Sequence, residues 1–87
     1  MTEKETEMWL ERETRPLLMP DGNRRPFTMT KLHWNSLEYL TLAGFYTEQE
    51  LVELTAKNAV ETGRTFERHF PNVLAYIHQY IKAQGID

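Results

Sequence analysis

Residues 25–51 read RPFTMTKLHWNSLEYLTLAGFYTEQEL, and this stretch decides the fold because its apolar spacing changes partway along. Phe27 and Met29 alternate with two threonines, which is the two-residue period of a strand. Pro26 has no amide hydrogen for a strand ladder, so we expect it at the start of the strand or on an edge. The segment predicts one brief strand.

A helix is predicted directly after this strand, from about Leu32 to Ala43. Large apolar residues now recur every three positions, as they do on one face of a helix. Asn35 and Ser36 are both residue types that cap a helix start. Gly44 fits the left-handed position that ends many helices. The residues that set the spacing are Trp34, Leu37 and Leu40.

Two further helices are predicted in the C-terminal half. Thr47 and Glu50 have the spacing of a capping box, so a second helix begins there and runs to about Thr62. Pro71 suits the first turn of a third helix, which ends near Gly85. The fold class predicted is mainly α with one short β-strand, within a single domain that spans 24–87.

Residues 1–23 form a separate acidic arm, with three basic and six acidic side chains. Met8, Trp9 and Leu10 are its large apolar cluster in the first thirteen positions, so that part is a frayed tail or a short docked helix. The turn-forming residues 20–23, PDGN, predict a reversal of the chain. This arm is therefore an N-terminal extension or one arm of a hairpin.

Composition excludes several classes of function. The chain of 87 residues has no cysteine and a net charge of −3, and it lacks the apolar run that a membrane span needs. His33, His69 and His78 stand too far apart for a zinc motif. No nucleophile or phosphate-loop signature occurs. We expect a cytoplasmic protein that is not an enzyme and has no metal, cofactor or membrane partner.

The order of these elements resembles the ribbon-helix-helix family. The matching residues are Phe27-Thr28-Met29-Thr30 as the ribbon, Trp34-x-x-Leu37-x-x-Leu40 as the first helix and Gly44-x-x-Thr47-x-x-x-Leu51 as the turn and second helix. The resemblance covers residues 25 to about 62. The last helix is similar to the extra C-terminal helix of a longer bacterial variant of that family.

The resemblance implies a homodimer that binds DNA as a bacterial transcriptional regulator. Two chains would pair their ribbons into an antiparallel sheet that enters the major groove. Its outward side chains would face bases and nearby cations would contact phosphates. Carried over by position, the DNA-binding set is Arg24, Arg25, Thr28, Thr30 and Lys31. The dimer core would comprise Phe27, Met29, Trp34, Leu37 and Leu51.

Two departures from the family argue against strong recognition of a specific DNA sequence. Pro26 replaces a hydrogen-bonding side chain on the ribbon, and threonines discriminate bases less sharply than Arg, Asn or Gln do. Glu48 and Glu50 occupy the first turn of the second helix, where they would repel a phosphate. An alternative function is therefore a protein-interaction module of the same fold that binds a partner through its acidic helices or the Trp9 segment.

The strand pairing has an alternative as well. A Thr/apolar strand after a PDGN turn is also what the second half of an intrachain hairpin looks like, with Leu17 and Leu18 in the first half. In that arrangement the ribbon is completed within one chain. The argument for DNA binding through a cross-chain ribbon would then be lost.

Overall fold

A computed structural model describes residues 3–85 of the chain, which is mostly helical with one two-stranded sheet. The elements follow in the order α1 (Glu3–Leu10), β1 (Arg12–Leu18), β2 (Arg24–Thr30), α2 (Lys31–Leu42), α3 (Glu48–Thr62) and α4 (Phe66–Ala83). None of the helices within residues 3–85 has both the length and the apolar character to cross a membrane.

The sheet is an intrachain antiparallel hairpin, so the prediction of a single strand was wrong. Its turn closes by a hydrogen bond from the Gly22 amide to the Met19 carbonyl (2.9 Å). Pro20 fits the second position of this turn, and Gly22 has a φ of +88°, which glycine adopts without steric cost. The alternative prediction of an intrachain hairpin is therefore confirmed, because β2 pairs with the strand that contains Leu17 and Leu18.

Backbone hydrogen bonds alternate along the hairpin and fix which groups of β2 point outward. The Met19 amide donates to Asn23 O and the Lys31 amide donates to Glu11 O, both at 2.8 Å. Hydrogen-bonded and non-hydrogen-bonded residue pairs alternate along an antiparallel hairpin. Counted from these two bonds, the odd-numbered residues of β1 and β2 form the hydrogen-bonded pairs. Pro16 and Pro26 face each other at a position without ladder bonds. Both prolines are tolerated because no donor is needed there.

The first long helix begins at Lys31, with Thr30 as its cap. The Thr30 hydroxyl accepts a hydrogen bond from the His33 amide at 3.3 Å. The prediction that Asn35 or Ser36 caps this helix was wrong, because the strand leads into the helix without an intervening loop. Ser36 instead lies buried inside α2, where its hydroxyl is 2.8 Å from His78 Nδ1 on α4.

The predicted capping box and the end of α3 are confirmed. The Glu50 amide donates to the Thr47 hydroxyl at 3.1 Å, and the Thr47 amide donates to the Glu50 carboxylate at 2.8 Å. The helix ends at Thr62, and Gly63 follows in the left-handed conformation. Gly44 likewise has a positive φ after α2. Local sequence signals therefore set both boundaries of α3.

The last helix begins at Phe66, five residues before the predicted start at Pro71. An internal proline removes one helical hydrogen bond and crowds the preceding turn. Here packing of the added turn offsets that cost: the Phe66 and Phe70 rings stack at 5.2 Å, and Phe27 meets both rings edge-on at 5.9 and 5.8 Å. Aromatic contacts to β2 therefore extend α4 through the proline.

One core lies between the inner face of the hairpin and helices α2, α3 and α4. Phe27 and Met29 are only 6% and 1% exposed within a single chain. The inference that these two side chains need a second chain for burial was wrong, because α4 covers the hairpin from within. The core comprises Leu17, Phe27, Met29, Trp34, Leu37, Leu40, Leu51, Val52, Phe70, Leu74 and Ile81.

Candidate nucleic-acid interface

The hairpin turns one face away from the helices, and we call it the outer hairpin face. Side chains alternate across a strand, so even-numbered residues of both strands lie on this face. Most of its side chains are exposed, and none of them is acidic. Its members are Arg12, Thr14, Pro16, Leu18, Arg24, Pro26, Thr28 and Thr30.

A pair of hydroxyls occupies the middle of the outer hairpin face. Thr14 and Thr28 lie directly opposite each other, with their Oγ1 atoms 2.6 Å apart. The Arg12 guanidinium reaches across and donates to the Thr28 carbonyl at 3.5 Å. This surface offers short hydrogen-bonding groups and a cation, which suit contacts to phosphate and base edges. Thr28 and Thr30, both predicted to face bases, lie here.

The basic residues predicted to meet phosphates are separated from one another and are paired with carboxylates. Arg24 is on the outer hairpin face, 2.9 Å from Glu48, whereas Arg25 is on the opposite side of β2 and pairs with Asp21. Lys31 starts α2, and its ammonium lies 3.1 Å from Glu11. The three cations do not form one cluster, and in-chain acids reduce the positive potential of each.

The N-terminus of α3 is occupied by its own carboxylates. Glu50 closes the capping box, and Glu48 Oε1 accepts hydrogen bonds from the Leu18 amide (2.8 Å) and from Arg24 (2.9 Å). Each carboxylate interacts favourably with the helix dipole, and Glu48 also ties α3 to the hairpin. A phosphate at this helix end would have to displace these bonds and overcome two negative charges. This terminus is therefore unsuited to clamp DNA.

Trp34, assigned to a dimer core, is held within the chain by a polar cluster on the inner side of β1. Its indole Nε1 donates to the Glu13 carbonyl at 2.7 Å, and the Arg15 guanidinium lies 5.4 Å from its ring centroid. Arg15 also contacts Glu13 and Glu38 at 2.7 and 2.5 Å. The hydrogen bond from Arg15 to Glu38, with smaller contributions from Glu13, raises the pKa of Arg15 above its ordinary value.

All five residues predicted for a dimer core lie in the core of the single chain. They are Phe27, Met29, Trp34, Leu37 and Leu51, each less than a tenth exposed. These side chains leave little apolar surface for a second chain. Any contact between copies must therefore use other groups, such as the backbone edge of β2.

Sequence reasoning missed Arg12 and Thr14 as members of this surface. The turn at residues 20–23 was the available signal, because a hairpin closed there places Arg12 and Thr14 opposite Thr30 and Thr28. Two features made β1 hard to recognise as a strand. Glu13 and Arg15 occupy inward positions, where apolar residues are usual, and Pro16 is a residue type that is uncommon in strands. The tertiary partners of this strand are distant in the sequence.

Each of the three histidines has a different hydrogen-bonding partner. His33 Nδ1 lies 2.8 Å from the Thr30 hydroxyl, His78 Nδ1 contacts Ser36, and His69 Nε2 lies 2.6 Å from Asn58 Oδ1. Burial, followed by the charge of Arg12, lowers the pKa of His33. Among the residues from 3 to 85, no group of three potential metal ligands comes together.

No protein-family model, curated protein or solved structure matches this chain in the three comparisons made. The arrangement of a two-stranded antiparallel sheet followed by helices is compatible with a ribbon-helix-helix-like fold. The outer hairpin face is the side of this sheet that the helices leave open to solvent.

Proposed function

We propose that this chain is a non-catalytic, homodimeric DNA-binding protein of the bacterial ribbon-helix-helix type, acting as a transcriptional regulator. The observation that carries the proposal is the outer hairpin face, which has two arginines and three threonines and no carboxylate on an otherwise acidic chain. A two-stranded ribbon is one of the protein elements that fit the major groove of DNA.

The intrachain hairpin removes the argument from a ribbon built of one strand per chain, so the proposed dimer rests instead on the second edge of β2. β1 occupies one edge of β2. The backbone groups of Arg24, Pro26 and Thr28 point to the other edge, as the alternation of ladder bonds requires. Addition of β2 from a second copy would give a four-stranded sheet, of which the two central β2 strands would form the ribbon that faces the major groove. The pairing would be antiparallel and two-fold symmetric.

Phosphate contacts in this proposal come from Arg12 and Arg24. Arg24 would exchange Glu48 for phosphate, and this exchange is feasible because exposed ion pairs are worth about 0–1 kcal/mol. Thr28 would supply a hydroxyl to base edges with Thr14 beside it. Thr30 could do so only by giving up its bonds to His33 at the cap of α2. Since a hydroxyl both donates and accepts, we expect modest sequence discrimination and a large electrostatic share of the affinity.

The DNA contact is tested by fluorescence anisotropy with a labelled duplex at several salt concentrations. Each phosphate contact contributes roughly −0.9 to the slope of log K against log salt. Arg12→Gln should therefore flatten the slope by about one per bound chain. The matched control is Arg68→Gln, an exposed arginine on α4 that should leave the slope unchanged. No binding at about 50 mM salt, or equal slopes for both variants, contradicts the proposed contact.

The dimer is tested by light scattering coupled to size exclusion. Thr28→Pro removes an outward amide of β2 without removing a ladder bond of the hairpin. It should convert the dimer to a monomer. Thr14→Pro, at the opposing position on β1, should remain dimeric. Circular dichroism of both variants checks that the fold is kept. A wild-type chain that stays monomeric at all accessible concentrations contradicts the dimer proposal.

A protein-interaction module of the same fold, without DNA binding, is the second candidate. The ion pairs of Arg24, Arg25 and Lys31 with in-chain acids favour it, since they reduce the basic surface available to phosphates. The N-terminal helix adds exposed apolar surface, with Met8 and Leu10 at 50% and 58% exposure. In the anisotropy titration this candidate shows no salt-dependent binding of duplex DNA.

A further inference from the structure

One end of the outer hairpin face brings together a cation, a hydroxyl and an imidazole. Arg12 and Thr30 lie directly opposite each other on β1 and β2, and both side chains belong to this face. The chain continues from Thr30 into α2, whose third residue is His33. His33 is half-buried, and its ring Nδ1 lies 2.8 Å from the Thr30 hydroxyl oxygen. A titratable ring therefore lies beside a residue of the proposed DNA surface.

The Thr30 hydroxyl has one hydrogen and two lone pairs, so its bonds can be counted. One lone pair accepts the hydrogen bond from the His33 amide at 3.3 Å, which caps α2. We assign the proton of the neutral His33 ring to Nε2, which leaves a lone pair on Nδ1, and the Thr30 hydroxyl donates to it. In this state Thr30 has no hydrogen left for an acceptor on DNA.

Protonation of His33 would change this, because it reverses the bond between the two side chains without breaking it. Both ring nitrogens of a charged imidazole are donors, so Nδ1 then donates to the Thr30 oxygen. That oxygen accepts twice, from the ring and from the backbone amide. Its own hydrogen becomes available to an acceptor outside the chain, and the cap of α2 is kept. The proton comes from solvent.

The charged groups on the segments next to His33 include acids and bases, which are listed here by element. They are Glu7 on α1, Glu11 before β1, Arg12 and Glu13 on β1, and Lys31 on α2. Glu11 and Glu13 are paired with other cations, at 3.1 and 2.7 Å. Among the side chains that the structure describes, no carboxylate pairs with His33. The charge that acts on the His33 ring is that of Arg12.

This charge distribution favours a phosphate at this end of the face. Burial, followed by the charge of Arg12, lowers the pKa of His33 in the free chain. A phosphate beside Arg12 would oppose that positive charge and favour the protonated ring. Its oxygens are also acceptors that suit the hydrogen released by Thr30. Phosphate binding and protonation of His33 therefore favour each other.

We propose that His33 is a positioning residue for DNA binding, whose protonation turns the Thr30 hydroxyl into a donor to a phosphate oxygen beside Arg12. This role rests on the proposed function. It links binding of the duplex to uptake of up to one proton per chain. The affinity for DNA therefore increases as the pH falls through the range in which His33 titrates.

The test measures the affinity for a labelled duplex by fluorescence anisotropy at constant salt, from about pH 7.5 down to about pH 5.5. For the wild type, log K should fall with increasing pH, by at most about one per pH unit for each bound chain. His33→Asn keeps a polar group near the Nδ1 position and does not titrate, so it should flatten this profile. Thr30→Ser keeps the hydroxyl and should retain the profile, whereas Thr30→Val should lose most of it.

The matched control is His78→Asn, because His78 contacts Ser36 between α2 and α4 and is not part of the outer hairpin face. It should keep the wild-type profile. Circular dichroism at each pH checks that every variant is folded, and ring ¹⁵N chemical shifts of the free chain should place the proton of neutral His33 on Nε2. The proposal is overturned if the two histidine variants give the same profile, if Thr30→Val keeps the wild-type profile, or if the neutral ring is protonated at Nδ1. Absence of duplex binding at every pH instead overturns the proposed function, and the role of His33 with it.

Discussion

Truncation of Leu17 to alanine tests whether β1 belongs to the core of a single chain. Leu17 is fully buried, with 0% exposure, and lies on the inner face of β1 among the core side chains. Removing a buried leucine side chain costs about 2–5 kcal/mol, since burial is lost and a cavity remains. Complete burial places the expected loss near 3 kcal/mol.

That loss is a large part of the total, because a domain of this length has a free energy of unfolding of about 4–13 kcal/mol. The melting temperature should fall by about 12–24 °C, at about 4–8 °C per kcal/mol for a small domain. Urea unfolding followed by tryptophan fluorescence gives the free energy directly, because Trp34 is buried in the folded chain. Protein concentration is held constant, since dimerisation would add to the apparent stability.

Leu42→Ala is the matched control, with the same chemical change at a side chain that is 85% exposed. It should change the free energy of unfolding by less than about 0.5 kcal/mol. The reasoning is refuted if Leu17→Ala costs no more than this control. Such a result would mean that β1 does not pack against the helices in solution and that residues 1–23 form a detached arm.

Two further predictions concern the capping box and a half-buried histidine. Thr47→Ala should destabilise the chain by about 1 kcal/mol in urea unfolding, because the Glu50 amide loses its acceptor, whereas Thr62→Ala at the far end of α3 should cost less. A larger loss in Thr62→Ala would contradict the capping role. Since the folded chain lowers the pKa of His33, the unfolded chain binds a proton first, and stability should decrease as pH falls from about 7 through the lowered pKa. His33→Gln should flatten this part of the pH profile, and an unchanged profile would assign the effect to another group.

Local signals in the sequence predicted most helix boundaries. The Thr47 and Glu50 spacing and the glycines after α2 and α3 depend on neighbours within four residues, so a single sequence contains them. The start of α4 could not be found in this way, because its extra turn is stabilised by Phe27, which lies about forty residues earlier. Proline usually lies in the first turn of a helix. Here the contacts of Phe27 with Phe66 and Phe70 stabilise a helical turn before Pro71.

The candidate site was predicted in part. Thr28 and Thr30 lie on the outer hairpin face, as the alternation of the predicted strand indicated, and Arg24 lies on the same face. Arg12 and Thr14 were missed because β1 does not have the apolar alternation of a typical strand. Its inward Arg15 is stabilised by Glu38 and the Trp34 ring, and such tertiary partners cannot be identified from one sequence.

The opposed prolines of the hairpin have a consequence for how far assembly can proceed. On the free side of β1, Pro16 offers no hydrogen and the Leu18 amide is already engaged by Glu48. The free edge of β1 therefore lacks half of the backbone N–H donors that an incoming strand would require. The free edge of β2 lacks only the donor at Pro26. If two copies pair through β2 as proposed, the depleted edge of β1 should disfavour addition of a further strand and so oppose growth into open-ended fibrils.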